Sequence, residues 1–191
     1  MIIYLEGPDG SGKTTLKEAI YDSLSNAGYN VIPNGLDLIP THPREGENRM
    51  NESQLFKQLR KMANEKAIYI CDRGPISDCV YRVFDAYQSV TTINKLKTFI
   101  EKNNSKILLI YCRTNKAEEA MKARGDESQI ALTRHKEITK LFDMVMGIIA
   151  SNLKYNTIKY DFTRKKQINE VISSANYWAY MGGADNGNQN K

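Results

Sequence analysis

The sequence predicts an α/β fold in which a five-stranded parallel sheet lies between two layers of helices. Short apolar segments with the composition of buried strands alternate along the chain with segments of helical periodicity. The unbroken apolar run 107–112 indicates a strand that is buried on both faces, as strands of parallel sheets are. Because parallel strands need long, usually helical connections, this alternation favours a three-layer α/β/α arrangement.

Composition limits the classes of protein that the chain fits. Its 191 residues suffice for one domain with a sizeable core, and 41% hydrophobic with 26% charged residues is typical of soluble globular proteins. The net charge of +5 suits anionic ligands but is too small to indicate nucleic acid. No apolar run reaches membrane-spanning length, and the sequence opens into a strand, so we expect neither a membrane partner nor a signal peptide. Three cysteines indicate reduced thiols and a cytoplasmic location.

The predicted elements follow from turn and capping residues. The five strands are expected at 2–5, 29–33, 67–71, 107–112 and 157–160. Seven helices are expected at 16–26, 51–65, 75–88, 91–103, 115–124, 129–153 and 165–178, the second capped by Asn51. The segment 34–50 is predicted to be irregular, and segments of that length are usually functional or flexible. We assign 1–181 to one domain and the polar residues 182–191 to a disordered tail.

A phosphate-binding motif follows the first strand. Gly7, Gly12, Lys13 and Thr14 fill the pattern G-x-x-x-x-G-K-[ST] of the P-loop, with a strand before it and a helix after it. Backbone N–H groups and the helix N-terminus would then face the phosphates, Lys13 would reach the β- and γ-phosphates, and Thr14 would bind Mg²⁺. We expect nine consecutive residues to bind ATP, namely Gly7, Pro8, Asp9, Gly10, Ser11, Gly12, Lys13, Thr14 and Thr15. The alternative is a glycine-rich turn that matches by chance, but the flanking elements favour a P-loop NTPase fold.

An acidic and a basic residue close the third predicted strand. Asp72 lies where a Walker-B acid would hold Mg²⁺ together with Thr14 or orient the attacking oxygen. Arg73 beside it would bind the phosphate of an acceptor. The alternative is an Asp–Arg pair at the surface that caps the next helix. Because ligands of parallel sheets gather at the carboxyl ends of the strands, we favour the functional interpretation.

The chain resembles the thymidylate kinases, which are P-loop nucleoside monophosphate kinases. The segment 6–15, EGPDGSGKTT, is similar to the family's P-loop, and 72–81 is similar to its signature D-R-Y-x-x-S-x-x-A-Y-Q. Weaker similarity links 55–60 to the family's L-F-A-A-D-R, 123–127 to its arginine-bearing lid and 158–161 to its last strand. The resemblance implies transfer of the γ-phosphoryl of ATP, with Mg²⁺ as cofactor, to a deoxynucleoside monophosphate. The implied acceptor is dTMP, and a homodimer is left open.

The family's functional residues carry over to matching positions. The implied catalytic residues are Asp9, Lys13, Asp72, Arg73 and Arg124. The implied acceptor-binding residues are Asp9, Phe56, Arg60, Arg73, Ser77, Asp78 and Tyr81. Asp9 would contact the sugar 3′-hydroxyl or the transferred phosphoryl group. Thr14 and Asp72 would hold the metal.

Within the acceptor set the resemblance distinguishes base from sugar. Phe56 would stack on the base and Arg60 would donate to its O4, with Ser77 and Asp78 beside the base edge. Tyr81 would press against the 2′ carbon and exclude a ribose hydroxyl. Ordinary structural roles compete with these expectations, since Phe56 and Tyr81 could be packing residues and Arg60 a solvated helix arginine.

The sequence departs from the family in several places. The motif R-E-P-G-G-T is absent after the second strand, where Arg44 or Arg49 could replace it. Gly74 stands where the family has Tyr or His, and Gly10 where some members carry an arginine, which would leave charge neutralisation to Arg124. The alternatives are a deoxynucleoside kinase acting on a 5′-hydroxyl and a non-catalytic nucleotide switch, although no guanine motif N-K-x-D is evident.

Overall fold

The computed structural model describes residues 1–35, 51–84, 91–125, 129–150 and 157–182, with side chains described except at 82–84 and 129–132. The strands are β1 (Ile2–Glu6), β2 (Val31–Ile32), β3 (Ile68–Asp72), β4 (Ile107–Cys112) and β5 (Thr157–Tyr160). The helices are α1 (Lys13–Asn26), α2 (Glu52–Asn64), α3 (Pro75–Phe84), α4 (Ile93–Lys102), α5 (Ala117–Ala123), α6 (Gln129–Ala150) and α7 (Gln167–Met181).

All five strands are parallel and lie in the order β2-β3-β1-β4-β5, which confirms the predicted sheet. The central strand β1 pairs with β3 and β4, and the register sets Leu5 beside Asp72 and Glu6 beside Tyr111. The carboxyl ends of these three strands therefore meet at one edge of the sheet. The P-loop and the Asp72-Arg73 pair both begin there.

Each face of the sheet carries its own hydrophobic core. Alternate residues of β1 point to opposite faces, so Ile2 and Tyr4 join one core while Ile3 and Leu5 join the other. Helices α2, α3, α4 and α6 pack on the first face, and α1 and α7 pack on the second. The three-layer arrangement is thus confirmed.

Most differences from the predicted elements are shifts at their ends. Both β1 and β3 run one residue further than predicted, which places Glu6 and Asp72 inside strands. Strand β2 keeps only two residues, whereas α7 begins two residues later than predicted and continues to Met181. The predicted cap of α2 is present, because Asn51 and Gln54 form a capping box.

Several predictions fall outside the described residues. These are the loop from residue 36 onward with Arg44 and Arg49, the continuations of α3 and α6, and the tail beyond residue 182. Among the helices that the structure does describe, none combines the length and the apolar character needed to cross a membrane.

Candidate functional site

The P-loop is shaped by three glycines with positive φ angles, at 148° for Gly7, 70° for Gly10 and 81° for Gly12. A Cβ at Gly7 would lie 2.1 Å from the carbonyl oxygen of Cys112 at the end of β4. A Cβ at Gly10 would lie 2.4 Å from the carbonyl oxygen of Ala117 in α5. Both the backbone conformation and the close packing therefore require glycine at these two positions. Helix α1 begins directly after Gly12, so its N-terminus opens into the loop.

Lys13 lies inside the P-loop, where only 6% of it is exposed. Its Nζ donates to the carbonyl oxygens of Gly7 and Pro8, at 2.9 and 2.7 Å, and to the hydroxyl of Ser11. Burial, with the charge of Arg73 as the next contribution, lowers the pKa of Lys13 to about 8. The ammonium thus satisfies acceptors of the loop itself instead of facing outward, and a phosphate in the loop would offer it a stronger, charged acceptor.

Two side chains whose oxygen atoms can bind a metal ion meet between α1 and β3. The Thr14 hydroxyl donates to the Asp72 carboxylate at 3.1 Å, as expected for a P-loop threonine and a strand-end acid. Mg²⁺ is usually held by one or two carboxylates together with waters and substrate phosphates, so this hydroxyl–carboxylate pair fits that ion. Within the described part of the chain, no group of three or more His, Cys, Asp or Glu side chains is placed to hold a metal.

Asp9 is the centre of a cluster that joins the P-loop to β3 and α3. One oxygen of its carboxylate accepts a hydrogen bond from Arg73 and forms an ion pair with it. The other oxygen accepts a hydrogen bond from the Tyr81 hydroxyl at 3.0 Å. The guanidinium carbon of Arg73 also lies 4.8 Å from the centre of the Tyr81 ring, within range of a cation–π interaction. Burial alone would raise the pKa of Asp9, but the nearby Arg73 and Lys13 charges and the Tyr81 bond hold it below its ordinary value.

Arg73 has two unusual features. Its φ angle is +70°, a conformation that non-glycine residues rarely adopt outside sites where the surroundings impose it. Its Nη1 is buried and has no hydrogen-bond partner among the described residues. An arginine with one nitrogen on Asp9 and a second one unpartnered has a donor left for an anionic ligand.

Two residues that support this cluster carry no recognisable signal in the sequence. His135 on α6 is buried and its Nε2 lies 3.1 Å from the backbone oxygen of Asp9; because a carbonyl only accepts, Nε2 carries the proton. Glu6 is wholly buried at the end of β1, and its carboxylate accepts from the N–H groups of Ile76 and Ser77 and from the Ser77 hydroxyl. Burial raises the pKa of Glu6 to about 7, against the lowering effect of the bonds from Ser77.

Ser77 and Asp78, which are expected beside an acceptor base, are both buried in this structure. Ser77 is wholly buried and its hydroxyl is bound to Glu6, so it supports the first turn of α3. Asp78 is 1% exposed and lies in the same buried turn. Ser77 matches the family motif in spacing. In this chain, however, both residues face the interior because α3 packs directly over the end of β1.

Phe56 and Arg60 lie apart from Asp9. They line a cavity of about 440 Å³ between α2 and α4, where Phe56 packs on Phe99 with ring centres 5.6 Å apart. The other lining residues are Glu52, Asn94, Lys95, Thr98, Phe99 and Lys102. None of Asp9, Arg73 and Tyr81 lines this cavity. The structure therefore divides the predicted acceptor residues into two groups.

A second cavity, of about 530 Å³, lies beside the P-loop. It is formed by the loop, by the end of α5 and by the segment between β5 and α7. The lining residues are Gly10, Gly12, Thr15, Ala120, Ala123, Arg124, Tyr160, Phe162, Arg164, Lys165 and Ile168. Arg124 is exposed here and is followed by Gly125 with φ of +74°. Of the predicted site residues, Arg124 thus lies beside the P-loop as expected.

Comparison with known proteins confirms the resemblance that the motifs predicted. No family model matches the chain. Two curated thymidylate kinases are similar to it: that of Finegoldia magna is 29% identical over 119 residues, and that of Shouchella clausii is 29% identical over 102 residues. These alignments cover 52% and 43% of this chain, and 59% and 48% of the two relatives. The chain thus spans about half the length of the curated relatives it matches, as a divergent, thymidylate kinase-like sequence.

Solved structures show the same fold. The YorR protein of Bacillus subtilis, solved in complex with phosphorylated GDP, has a TM-score of 0.63 and 24% identity, and the match covers 91% of this chain and 94% of that one. The deoxyadenosine kinase of M. mycoides, solved with dCMP and dCDP, has a TM-score of 0.53 and 20% identity, and the match covers 93% of this chain and 100% of that one. At these identities the likeness concerns the fold alone.

Proposed function

We propose that this protein is a nucleotide kinase that transfers the γ-phosphoryl group of ATP to a deoxynucleoside monophosphate, with dTMP as the first acceptor to be tested. The observation that carries the proposal is the P-loop, with the Thr14–Asp72 pair at one end and the Asp9–Arg73–Tyr81 cluster at the other. Sequence similarity to thymidylate kinases supports the same class of reaction.

The donor would bind across the P-loop. Its phosphates would lie in the loop, where the N-terminus of α1 and the Lys13 ammonium favour negative charge. The cavity lined by Arg124, Arg164 and Lys165 has the position and the size for the nucleoside part of ATP. Magnesium bound at Thr14 and Asp72 would supply charge neutralisation for the β- and γ-phosphates.

The acceptor would approach from the side of Asp9. The unpartnered Nη1 of Arg73 would bind its 5′-phosphate, while the Asp9 carboxylate and the Tyr81 hydroxyl would lie near its sugar. An oxygen of the acceptor phosphate attacks the γ-phosphorus, and the bond from that phosphorus to the β–γ bridging oxygen breaks. The chain contributes position and positive charge, and Arg124 would stabilise the charge that builds up during transfer.

A deoxynucleoside kinase is the second candidate. It is favoured by the likeness in fold to a deoxyadenosine kinase. In that reaction a carboxylate must accept the proton of the attacking 5′-hydroxyl, and Asp9 and Asp72 are the acids beside the P-loop. The unpartnered donor of Arg73 favours a phosphorylated acceptor instead.

Initial rates of ADP formation test the proposal and identify the base. Each of dTMP, dUMP, dCMP and dGMP is supplied at one concentration of ATP and Mg²⁺, with Lys13→Ala as the inactive control. We expect dTMP or dUMP to react fastest. If dCMP or dGMP reacts fastest, the kinase class stands and the choice of thymine is wrong. If no monophosphate supports ADP formation above the control, the proposed function is wrong.

A further inference from the structure

The wholly buried Glu6 carboxylate has no part in the chemistry proposed above, yet its surroundings are unusually specific. Glu6 is the last residue of β1 and directly precedes Gly7 of the P-loop. Its oxygens accept from Ile76 N–H at 3.2 Å, from Ser77 N–H at 3.0 Å and from the Ser77 hydroxyl. All three donors belong to the first turn of α3. A buried carboxylate is stable only when it is bonded in this way, and the helix N-terminus adds a favourable field.

The chain between β3 and α3 is shaped to leave room for that carboxylate. A Cβ on Gly74 would lie 2.8 Å from Glu6 Oε1 and 2.7 Å from the Tyr4 ring, so no larger residue fits. Arg73, just before it, donates its N–H to Leu5 O at 3.0 Å and adopts φ of +70°. The close approach of Glu6 and Tyr4 therefore favours glycine at position 74.

We propose that Glu6 is a positioning residue, which holds the first turn of α3 against β1 so that Arg73 and Tyr81 meet Asp9. The inference rests on the proposed function, because the positioned groups are those assigned to the acceptor. The short segment from Glu6 to Asp9 contacts α3 twice, at its first turn through Glu6 and one turn later through the Asp9–Tyr81 bond. Two contacts fix both the position and the rotation of the helix, whereas one contact leaves the rotation free.

The variant Glu6→Gln tests the proposal with little change of shape. Three donors converge on the carboxylate, and an amide offers one oxygen and two N–H donors, so at least one donor of α3 loses its acceptor. Gly74→Ala disturbs the same junction without changing charge. Thr92→Ala is the matched control, because it removes a helix cap from α4, where Thr92 accepts from Lys95 N–H.

Steady-state kinetics and direct measurement of ATP binding then distinguish a positioning role of Glu6 on the acceptor side from a role in supporting the whole site. For Glu6→Gln and Gly74→Ala we expect KM for the acceptor to rise by at least about tenfold, with the dissociation constant of ATP changed by less than about twofold. Thr92→Ala should change neither constant. If Glu6→Gln weakens ATP binding as much as acceptor binding, or changes nothing, the proposal is wrong.

A measurement on the protein without substrates keeps the inference separate from the proposed function. The Nε–Hε signal of Arg73 in an NMR spectrum reports whether the guanidinium is held on Asp9 and Tyr81. We expect this signal to shift or broaden in Glu6→Gln and Gly74→Ala and to be unchanged in Thr92→Ala. An unchanged signal in both junction variants contradicts the positioning role, even if the wild-type protein phosphorylates none of the acceptors tested.

Discussion

The donor side and the acceptor side of this site are built from different kinds of contact. On the donor side a continuous segment, 7–15, makes the phosphate cradle from its own backbone, its glycines and the helix that follows. On the acceptor side, side chains from the segment after β3, from α3 and from α6 meet at Asp9 of the P-loop. A cradle of backbone groups depends on local conformation, whereas a side-chain cluster depends on how the elements pack. Substitutions on the two sides should therefore have different consequences.

The largest effect is expected from Lys13→Ala on the donor side. Removing the ammonium that would bind the β- and γ-phosphates should lower phosphoryl transfer by at least about a thousandfold. Stability should change little, because the bonds of Lys13 are to loop oxygens and its burial as a charge is unfavourable. An ATP-coupled assay and a thermal melt measure the two effects. Lys17→Ala, one turn further along α1 and bound to Asn34, is the control, and unchanged activity of Lys13→Ala would contradict the kinase proposal.

Arg124→Ala should lower the turnover number by at least about a hundredfold, with a smaller effect on ATP affinity. The reason is that Gly10 supplies no charge to the P-loop, while Arg124 lines the cavity beside it and Gly125 can act as a hinge. Turnover and ATP binding are measured separately, with the exposed Lys122→Ala as control. A loss confined to ATP binding would show that Arg124 contacts the ground state and that another cation stabilises the transition state.

Glu6→Gln should change how stability depends on pH. The pKa of Glu6 is raised from 4.5 to about 7 in the folded protein, so between these values the folded state holds an extra proton and loses stability as the pH rises. The amide does not titrate. The stability of the variant relative to the wild type should therefore rise by about 3 kcal/mol between pH 4.5 and pH 8. Urea denaturation at both pH values measures it, and a difference that does not vary with pH would mean that Glu6 titrates normally.

The smallest effect is expected from Tyr81→Phe on the acceptor side. The ring that packs on Phe142 is kept, and only the hydroxyl that donates to Asp9 at 3.0 Å is lost. A net hydrogen-bond contribution of about 1 kcal/mol suggests a loss of about fivefold in kcat/KM for dTMP. Because the ring is kept, the preference for a deoxy over a ribose acceptor should persist. Rates with dTMP and its ribose analogue test this, and a lost preference would assign the discrimination to the hydroxyl.

The parts that could be predicted from the sequence are those set by local conformation. The alternation of strands and helices predicts the sheet. The glycine spacing and the flanking elements predict the P-loop, with Thr14 and Asp72 close to each other beside it. The acceptor side is predicted less well from the sequence, because the spacing of residues along α3 does not show which side of the helix faces the interior. The resemblance implies a place for Ser77 beside a base, whereas in the structure its hydroxyl is bound to the buried Glu6.

His135 illustrates the same limit. It lies 126 residues from Asp9 in the sequence, and only the packing of α6 across the sheet brings its imidazole to the Asp9 carbonyl. Phe56 and Arg60 share one side of α2, and that side faces α4. Their acceptor role, the homodimer, the cytoplasmic location and the assignment of 1–181 to one domain stay predictions.

The central claim is that the acceptor side is built for a phosphate through Arg73. The most direct measurement compares initial rates of ATP-dependent phosphorylation of dTMP and thymidine at equal concentrations, in the wild type and in Arg73→Ala. The wild type should phosphorylate dTMP much faster than thymidine, and Arg73→Ala should reduce that preference by removing the unpartnered donor. Faster phosphorylation of thymidine than of dTMP by the wild type would contradict the account and support the deoxynucleoside kinase instead.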